Sequence, residues 1–550
     1  MLTEDTLPTT IEDLQKLCLQ LQATVNDKDQ VLREKEKTHE RELKAKDTYI
    51  EHLEERLNLL LSKRYQSQSE QLNYLQAQLF DESELEQAIR ETREELAAAA
   101  AEKAATSGDN KSSPPKQQPK RESLPSHLRR VKVMVDVSDE DKQMMGDDWE
   151  LIGYDQSEQL AVIPREYFVK HYLRAKYVQK GETKNGTSSD GLTSAGGIKV
   201  APRPAVILPK SMADASLLAD VIAGKFIDAL SFYRKHKVLA REGIEIGYST
   251  ICDWPIQLHQ QLQPIKRLLY EELPKQEVWH LDETTLQVLK EPNRKNTANS
   301  YLWGIRTGPP GAEIILFHYD MRKSYEALKA WLSPYLPDFR GAIVTDEHKP
   351  YNNLKKDHVQ IKAHGGCWFH LRRKFADAVK GRKHSSDAHK MLKLIATLYR
   401  IDKGLDALHG EEKRQARQKK LTPQIQIIRQ FLDDIASKYP NDGLMRTAIQ
   451  YALNNWPKFI ACLDHPELPM DNNIMEQAIR PFTTGRRNWL FSGGPRGAEA
   501  SAFLYSLVET SKACGWEPKA YLQTLFERFP LAKNDEERRA LLPMFLKPSK

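Results

Sequence analysis

Two short apolar runs, each ending in an aspartate, constrain this chain more than any other feature. Val278 to Thr284 reads VWHLDET, and Gly341 to Asp346 reads GAIVTD. Val278, Trp279 and Leu281 give the first run the character of a short buried strand with Asp282 at its far end. The second run closes on Asp346. A third acid, Glu476, lies in the helical run DNNIMEQAIRPF, from Asp471 to Phe482. Carboxylates that converge at the ends of core elements repel one another unless cations sit between them. Hard divalent ions choose oxygen ligands of this kind, so a pair of Mg2+ ions, with Mn2+ as the substitute, is expected. The pattern points to metal-dependent phosphoryl transfer.

The segments around these acids predict a mixed α/β sheet. YLWGIRT (Tyr301 to Thr307) and AEIILFHYD (Ala312 to Asp320) continue a meander from the first strand. A helix-like SYEALKAWLSPYL then leads to GAIVTD. A right-handed connection returns that fourth strand to the side of the first and brings Asp282 next to Asp346, which suits two-metal chemistry. Glu283 is set aside as a ligand because strand alternation turns it to the opposite face. Each acid also has a plain structural reading. Asp282 could cap a turn, and Glu476 could simply pair with Arg480 four residues on. His280, His348 and His364 stand alone, without ligand spacing, and read as structural or substrate-adjacent.

A further strand, HVQIKAHGGCW, runs into the basic segment FHLRRKFADAVKGRKH, where His370, Arg372, Arg373 and Lys374 cluster; the three cations, with Arg480, are expected to contact DNA. Residues 376–465 lack strand signals and read as a helical insertion between the second acid and the third. After the Glu476 helix, Gly485 is followed by Arg486, Arg487 and Trp489. Guanidiniums beside an aromatic plane suit a distorted or single-stranded DNA end. An amphipathic helix, GAEASAFLYSLVETSKACG, comes next.

The 550 residues exceed what one hydrophobic core usually supports, so three or more units are expected. Lys plus Arg number 82 against 76 for Asp plus Glu, a net charge of +6 that is compatible with a polyanionic partner without demanding one. The cysteines, five in all, are scattered and form no CxxC pair, which fits a reducing cytoplasm. Neither a membrane-length apolar run nor a secretory leader is visible, so no membrane partner is expected.

Upstream of the sheet, residues 1–80 carry leucine-rich heptads with a change of phase near His39 and predict a coiled coil. Residues 81–125 read as a disordered linker. Residues 126–180 form a small unit with alternating strands, VKVMVDV and YFVKHYLRAKYV, and residues 181–200 are a second linker. Residues 201–275 predict a helix-turn-helix: one helix stops at Gly243, and the next starts at Tyr248 with Ser249 and Thr250 facing a DNA groove. Lys235 and Arg241 add charge beside it, and Pro255 is expected to end the last helix early. Ordinary helical packing is the competing reading. The sheet then occupies 276–375 and 466–530, with 531–550 as a tail.

Several motifs carry a family resemblance: WHLDET, TDEHKPY, CWFHLRRKF, MDNNIMEQAIRPFTTGRRNWLFSGGPRGAEASA and YSLVETSKACGWEPKAYL. On these the chain resembles the IS66-family transposases, of the DDE class with a ribonuclease-H-like catalytic core. The resemblance implies that Asp282, Asp346 and Glu476 are the catalytic, metal-binding triad. It also implies that double-stranded DNA is the partner, as the element's terminal inverted repeats and as target. Cleavage at element ends would be followed by strand transfer, in a bacterial, nucleoid-associated protein. A homo-oligomer and accessory proteins of the same element are further implied. Cys367 and His370 match a Cys-x-x-His pattern of such transposases. Two ligands leave zinc incomplete there, so a positioning role is expected. The family's small unit commonly holds zinc on paired cysteines; here Gln143 to Gly146 and Val178 to Gly181 stand in their place, which makes zinc at that unit doubtful. A metal-dependent nuclease of the same fold and a catalytically silent DNA-binding assembly protein are the alternatives.

Overall fold

The computed structural model describes residues 48–61, 166–178, 198–308, 311–381, 386–439 and 443–547, together with Gln22, Lys28 and Lys46. Most of the expected coiled coil, the first linker and most of the small unit lie outside the described residues. The chain divides into two compact units, one of residues 105–204 and one of the remainder.

Of the smaller unit, the described part is a two-stranded antiparallel ribbon, β1 (Lys176–Val178) with β2 (Ile198–Val200). The expected strand from Tyr167 is therefore short. Phe168, Val169 and Leu173 are exposed and find no apolar surface to cover, and pairing begins only where β2 supplies backbone partners.

The larger unit opens with four helices: α1 (Ala215–Phe226), α2 (Phe232–Arg241), α3 (Tyr248–Gln261) and α4 (Gln263–Glu271). The side chains of Asp214 and Ser231 cap the first two by accepting from backbone N–H groups of the first turn. Gly243, at φ +74°, takes the left-handed turn that ends α2. Pro255 does not end α3. Ile251, Trp254, Pro255 and Leu258 are buried along one face, and that burial outweighs the one backbone hydrogen bond a proline removes.

The central sheet comprises β3 (Val278–Val288), β4 (Asn299–Thr307), β5 (Ile315–Asp320), β6 (Ala342–Thr345), β7 (His364–Gly366) and the two-residue β8 (Phe491–Ser492). Its order is β5-β4-β3-β6-β7. The first three strands run antiparallel, and β6 and β7 join in parallel. Between β5 and β6 lies helix α5 (Tyr325–Leu332), and between β6 and β7 lies α6 (Lys349–Asp357). The return of the fourth strand to the side of the first is as expected. In the core beneath, Trp279 stacks on Phe339 with ring centres 3.8 Å apart.

After β7 come α7 (Trp368–Gly381), α8 (Ser386–Lys403), α9 (Gly410–Ala436), α10 (Leu444–Asn454) and α11 (Trp456–Ile460). These helices share one apolar cluster that also takes in Val278, Ala342 and Val344 of the sheet. The helical segment 48–61 packs against them. Glu55 is buried and accepts from the Leu444 backbone N–H at 3.1 Å, at the first residue of α10. Leu53 and Leu59 are buried too.

The chain returns to the sheet in α12 (Asn473–Trp489), and α13 (Pro495–Ala513), α14 (Pro518–Arg528) and α15 (Asp535–Arg539) complete it. Helix α13 is not the amphipathic surface helix expected, since it is buried on almost all sides. Its polar residues face the outer edge of β5. Thr510 Oγ1 accepts from Ile315 N–H (3.0 Å) and donates to Ile315 O (2.8 Å), while Ser506 Oγ accepts from Phe317 N–H (2.8 Å). A helix thus satisfies backbone groups that an exposed edge strand would leave open. Among the described residues no helix is long and apolar enough to cross a membrane.

Candidate active site

Strand β3 is longer than the motif suggested, and Asp282 sits near its middle. Pairing with β4 runs on to Gln287, because the residues after Asp282 still have β4 backbone opposite them. On its other edge β3 pairs with β6 only as far as His280 and with β8 only from Gln287. The stretch between is an opening in the sheet, and Asp282 occupies it.

The parallel register puts His280 opposite Val344. The pairing stops there; Asp282 lies two residues beyond His280 and Asp346 two beyond Val344, just past the end of β6, close enough that the charge of Asp346 acts on Asp282. Both are half-buried. The Asp282 carboxyl is held well above the usual carboxylate range, first by burial and then by the charges of Glu283, Asp346 and Glu476. Asp346 is pushed up to about 6, by burial first and then by Glu283. Asp282 Oδ1 accepts from Glu283 N–H at 2.9 Å, and Asp346 Oδ1 from His348 N–H at 3.1 Å. Negative charge concentrated in a dry place, with oxygen donors already oriented, is the donor set that suits a hard divalent cation.

Glu476 reaches this place because α12 is stitched along the open edge of β3. At one end the Asn472 carboxamide donates to Leu281 O (2.8 Å), while its oxygen lies 2.9 Å from His280 Nδ1. At the other end Arg486 donates to Thr285 O and, at 2.6 Å, to Thr285 Oγ1. Glu476 falls in the first turn between the two stitches. Burial raises its carboxyl, and Arg373 opposes the rise. Its partners are Arg373 (3.2 Å) and His370 Nε2 (3.4 Å), both from α7, where the plain structural reading had Arg480. Arg480 acts on it only through a longer-range attraction. Burial, followed by the charges of Arg373 and Lys374, pushes His370 down to about 3. The His370 contact is therefore not an ion pair at neutral pH.

Cys367 is fully buried and accepts from Asn472 N–H at 3.3 Å. The Cys-x-x-His pair is therefore tied to the start of α12. Cys367, His370 and Glu476 each present a ligand atom within 4.8 Å of the others. Sequence reasoning saw two members of that group and missed that the third acid completes it. It also missed Asn472, whose only signal was its place in DNN, and the holders of Glu283. Lys323 lies 2.6 Å from Glu283, and the Tyr351 hydroxyl donates to it. Glu283, set aside on strand alternation, is the charge that acts most strongly on both aspartates.

The basic residues proposed for DNA divide by environment. Lys235 is buried and paired with Asp220, which Lys519 also contacts at 2.7 Å, so Lys235 is part of the core and not a groove contact. Arg486 is likewise spent on Thr285. Lys374 lies over the Tyr451 ring at 4.5 Å, and Arg372 is half-buried. Trp489 is half-buried, edge-on to Phe482, with Lys225 over its face. Arg487, Arg241, Ser249 and Thr250 are exposed.

Three family models match the chain. Residues 210–500 match a model described as Transposase IS66 family, residues 506–544 match the IS66 C-terminal element, and residues 52–133 match one described as Transposase C of IS166 homeodomain. The homeodomain match lies upstream of the α2–α3 pair expected to read DNA. Among curated proteins, the chain is similar to two uncharacterized proteins of Sinorhizobium fredii (strain NBRC 101917 / NGR234). It is 27% identical to y4jD over 74% of this chain and 78% of that protein, and 26% identical to y4qI over 78% and 79%. With the first family match spanning more than half of the 550 residues, the chain belongs to the IS66 family of transposases.

Proposed function

We propose that the protein is a DDE-class DNA transposase with a ribonuclease-H-like core, in which Asp282, Asp346 and Glu476 hold two Mg2+ ions. The observation that carries this reading is that Asp282 follows the last β3–β6 pair by two residues and Asp346 comes just past the end of β6, with the Glu476 helix fastened to the same edge of β3. The strand order around β3 supports the core assignment.

When bound, the ions lend the attacking and leaving oxygens of the phosphodiester the positive charge they need. The protein's own part is positional. Asp282 and Asp346 present oxygens from rigid strands, Arg373 restrains Glu476, and no side chain is required as a nucleophile. In the first step water adds to phosphorus at the element end and the bond to the 3′ oxygen breaks, leaving a 3′ hydroxyl and a 5′ phosphate. In the second, that hydroxyl attacks a target phosphodiester and displaces a target 3′ oxygen. Arg487, Arg372, Arg241, Ser249 and Thr250 are proposed to hold backbone phosphates, which fixes the bond presented. A homo-oligomer and accessory proteins of the same element belong to this reading.

The test is incubation of the full chain with labelled element ends, target DNA and Mg2+. Nicked and joined products are expected, and Asp282→Asn, Asp346→Asn or Glu476→Gln should abolish both while end binding persists. Nicks without joining would make the protein a nuclease. Binding without cleavage in Mg2+ or Mn2+ would make it an assembly protein.

A further inference from the structure

Close to the aspartate pair is a second ligand set of different chemistry. Cys367 immediately precedes α7, and His370 lies in that helix's first turn, so the three-residue spacing sets both on one face. Glu476 arrives from α12, and no two of the three ligand atoms are more than 4.8 Å apart. His370 Nε2 and Glu476 Oε1 are 3.4 Å apart, and that carboxylate oxygen is buried with no hydrogen-bond partner. His370 Nδ1 is likewise buried with no hydrogen-bond partner, and buried polar atoms left unpaired need an explanation. The edge of a tetrahedron with zinc bonds of about 2.0–2.1 Å to nitrogen and oxygen is about 3.3 Å, and the observed separation fits it.

We infer that Cys367, His370 and Glu476 form a site for a borderline-soft divalent cation of the zinc type, with a fourth position open to water. Sulfur and imidazole donors select such an ion over Mg2+, which takes oxygen almost exclusively. The surroundings suit it. The Asn472 N–H points at Cys367 Sγ, as amides do around metal thiolates, and Arg373 holds the other Glu476 oxygen at 3.2 Å. Binding replaces the Cys367 S–H bond with an S–metal bond and releases the thiol proton to solvent. The bound ion clamps α7 to α12 through Glu476. The site stands on its own ligands and does not require the transposition chemistry to be correct.

The test is a titration of the metal-free full chain with Co2+ alone, followed by absorbance. The expected result is one equivalent bound, with a thiolate-to-cobalt charge-transfer band and the intense visible bands of four-coordination. Stoichiometric Zn2+ should bleach both. Cys367→Ser should remove the charge-transfer band, and His370→Ala should weaken binding at least tenfold, whereas Cys252→Ser with Cys514→Ser should leave the spectrum intact. Wild-type protein that shows only weak six-coordinate cobalt bands would overturn the proposal, and so would a charge-transfer band that survives in Cys367→Ser. The wild-type spectrum decides even if the serine variant fails to fold.

Discussion

The Asn472 carboxamide oxygen and His280 Nδ1 lie 2.9 Å apart in a fully buried position. The same carboxamide donates to Leu281 O, so its oxygen is the acceptor and His280 carries its proton on Nδ1. One side chain therefore joins the strand of Asp282 to the helix of Glu476. Asn472→Ala leaves a buried N–H and a buried carbonyl unpaired, at roughly 1–3 kcal/mol each. The expected outcome is a lower urea midpoint together with at least a tenfold loss of Mg2+-dependent end cleavage that saturating Mg2+ does not restore. An unchanged midpoint would show that the stitch is dispensable.

Asp346 makes the metal-free fold sensitive to pH. Its folded pKa of about 6 lies above the unfolded value, so the stability it contributes is full below the unfolded pKa and is lost as pH rises through about 6. Asp346→Asn removes that loss. In EDTA, the variant should melt several degrees above wild type at pH 8, and the gap should shrink toward pH 5. Scanning calorimetry at the two pH values checks this, and a gap independent of pH would contradict it.

Thr510 is predicted to matter for stability and not for chemistry. Thr510→Val keeps the shape but strips Ile315 of a backbone acceptor and a donor on the β5 edge. A loss of roughly 1–3 kcal/mol is expected from denaturant unfolding, with cleavage per folded molecule unchanged.

Lys235 separates burial from recognition. Lys235→Met removes the buried cation that pairs with Asp220, and breaking a buried pair costs roughly 3–5 kcal/mol. The melting temperature should fall while the affinity of folded protein for element ends holds. A selective loss of DNA affinity would restore Lys235 as a contact.

The meander of the first three strands, the return of β6 beside β3 and the helix that bears Glu476 were legible because apolar runs and turn residues write them locally, whereas the strand expected over HVQIKAHGGCW is confined to His364–Gly366. What escaped was set by distant partners. The TTLQV half of β3 reads as too polar for a core strand, and only the β4 backbone opposite it explains its length. Ser506 and Thr510 look like a solvent face until the β5 edge is placed beside them. Lys235 looks like a surface cation because its partner lies a helix earlier, at Asp220. Glu476 completes a ligand group with Cys367 and His370 from more than a hundred positions away, a spacing no local motif encodes.

The stitching of α12 to β3 has a consequence for how the molecule can be handled by its substrate. Both anchors end on the strand that carries Asp282, while α7, the first of the helices inserted between β7 and α12, touches Glu476 itself through Arg373 and His370. Helices α8 to α11 can be tugged, lengthened or exchanged during assembly on a long polymer, and the load must pass through α7 before it shifts the carboxylate.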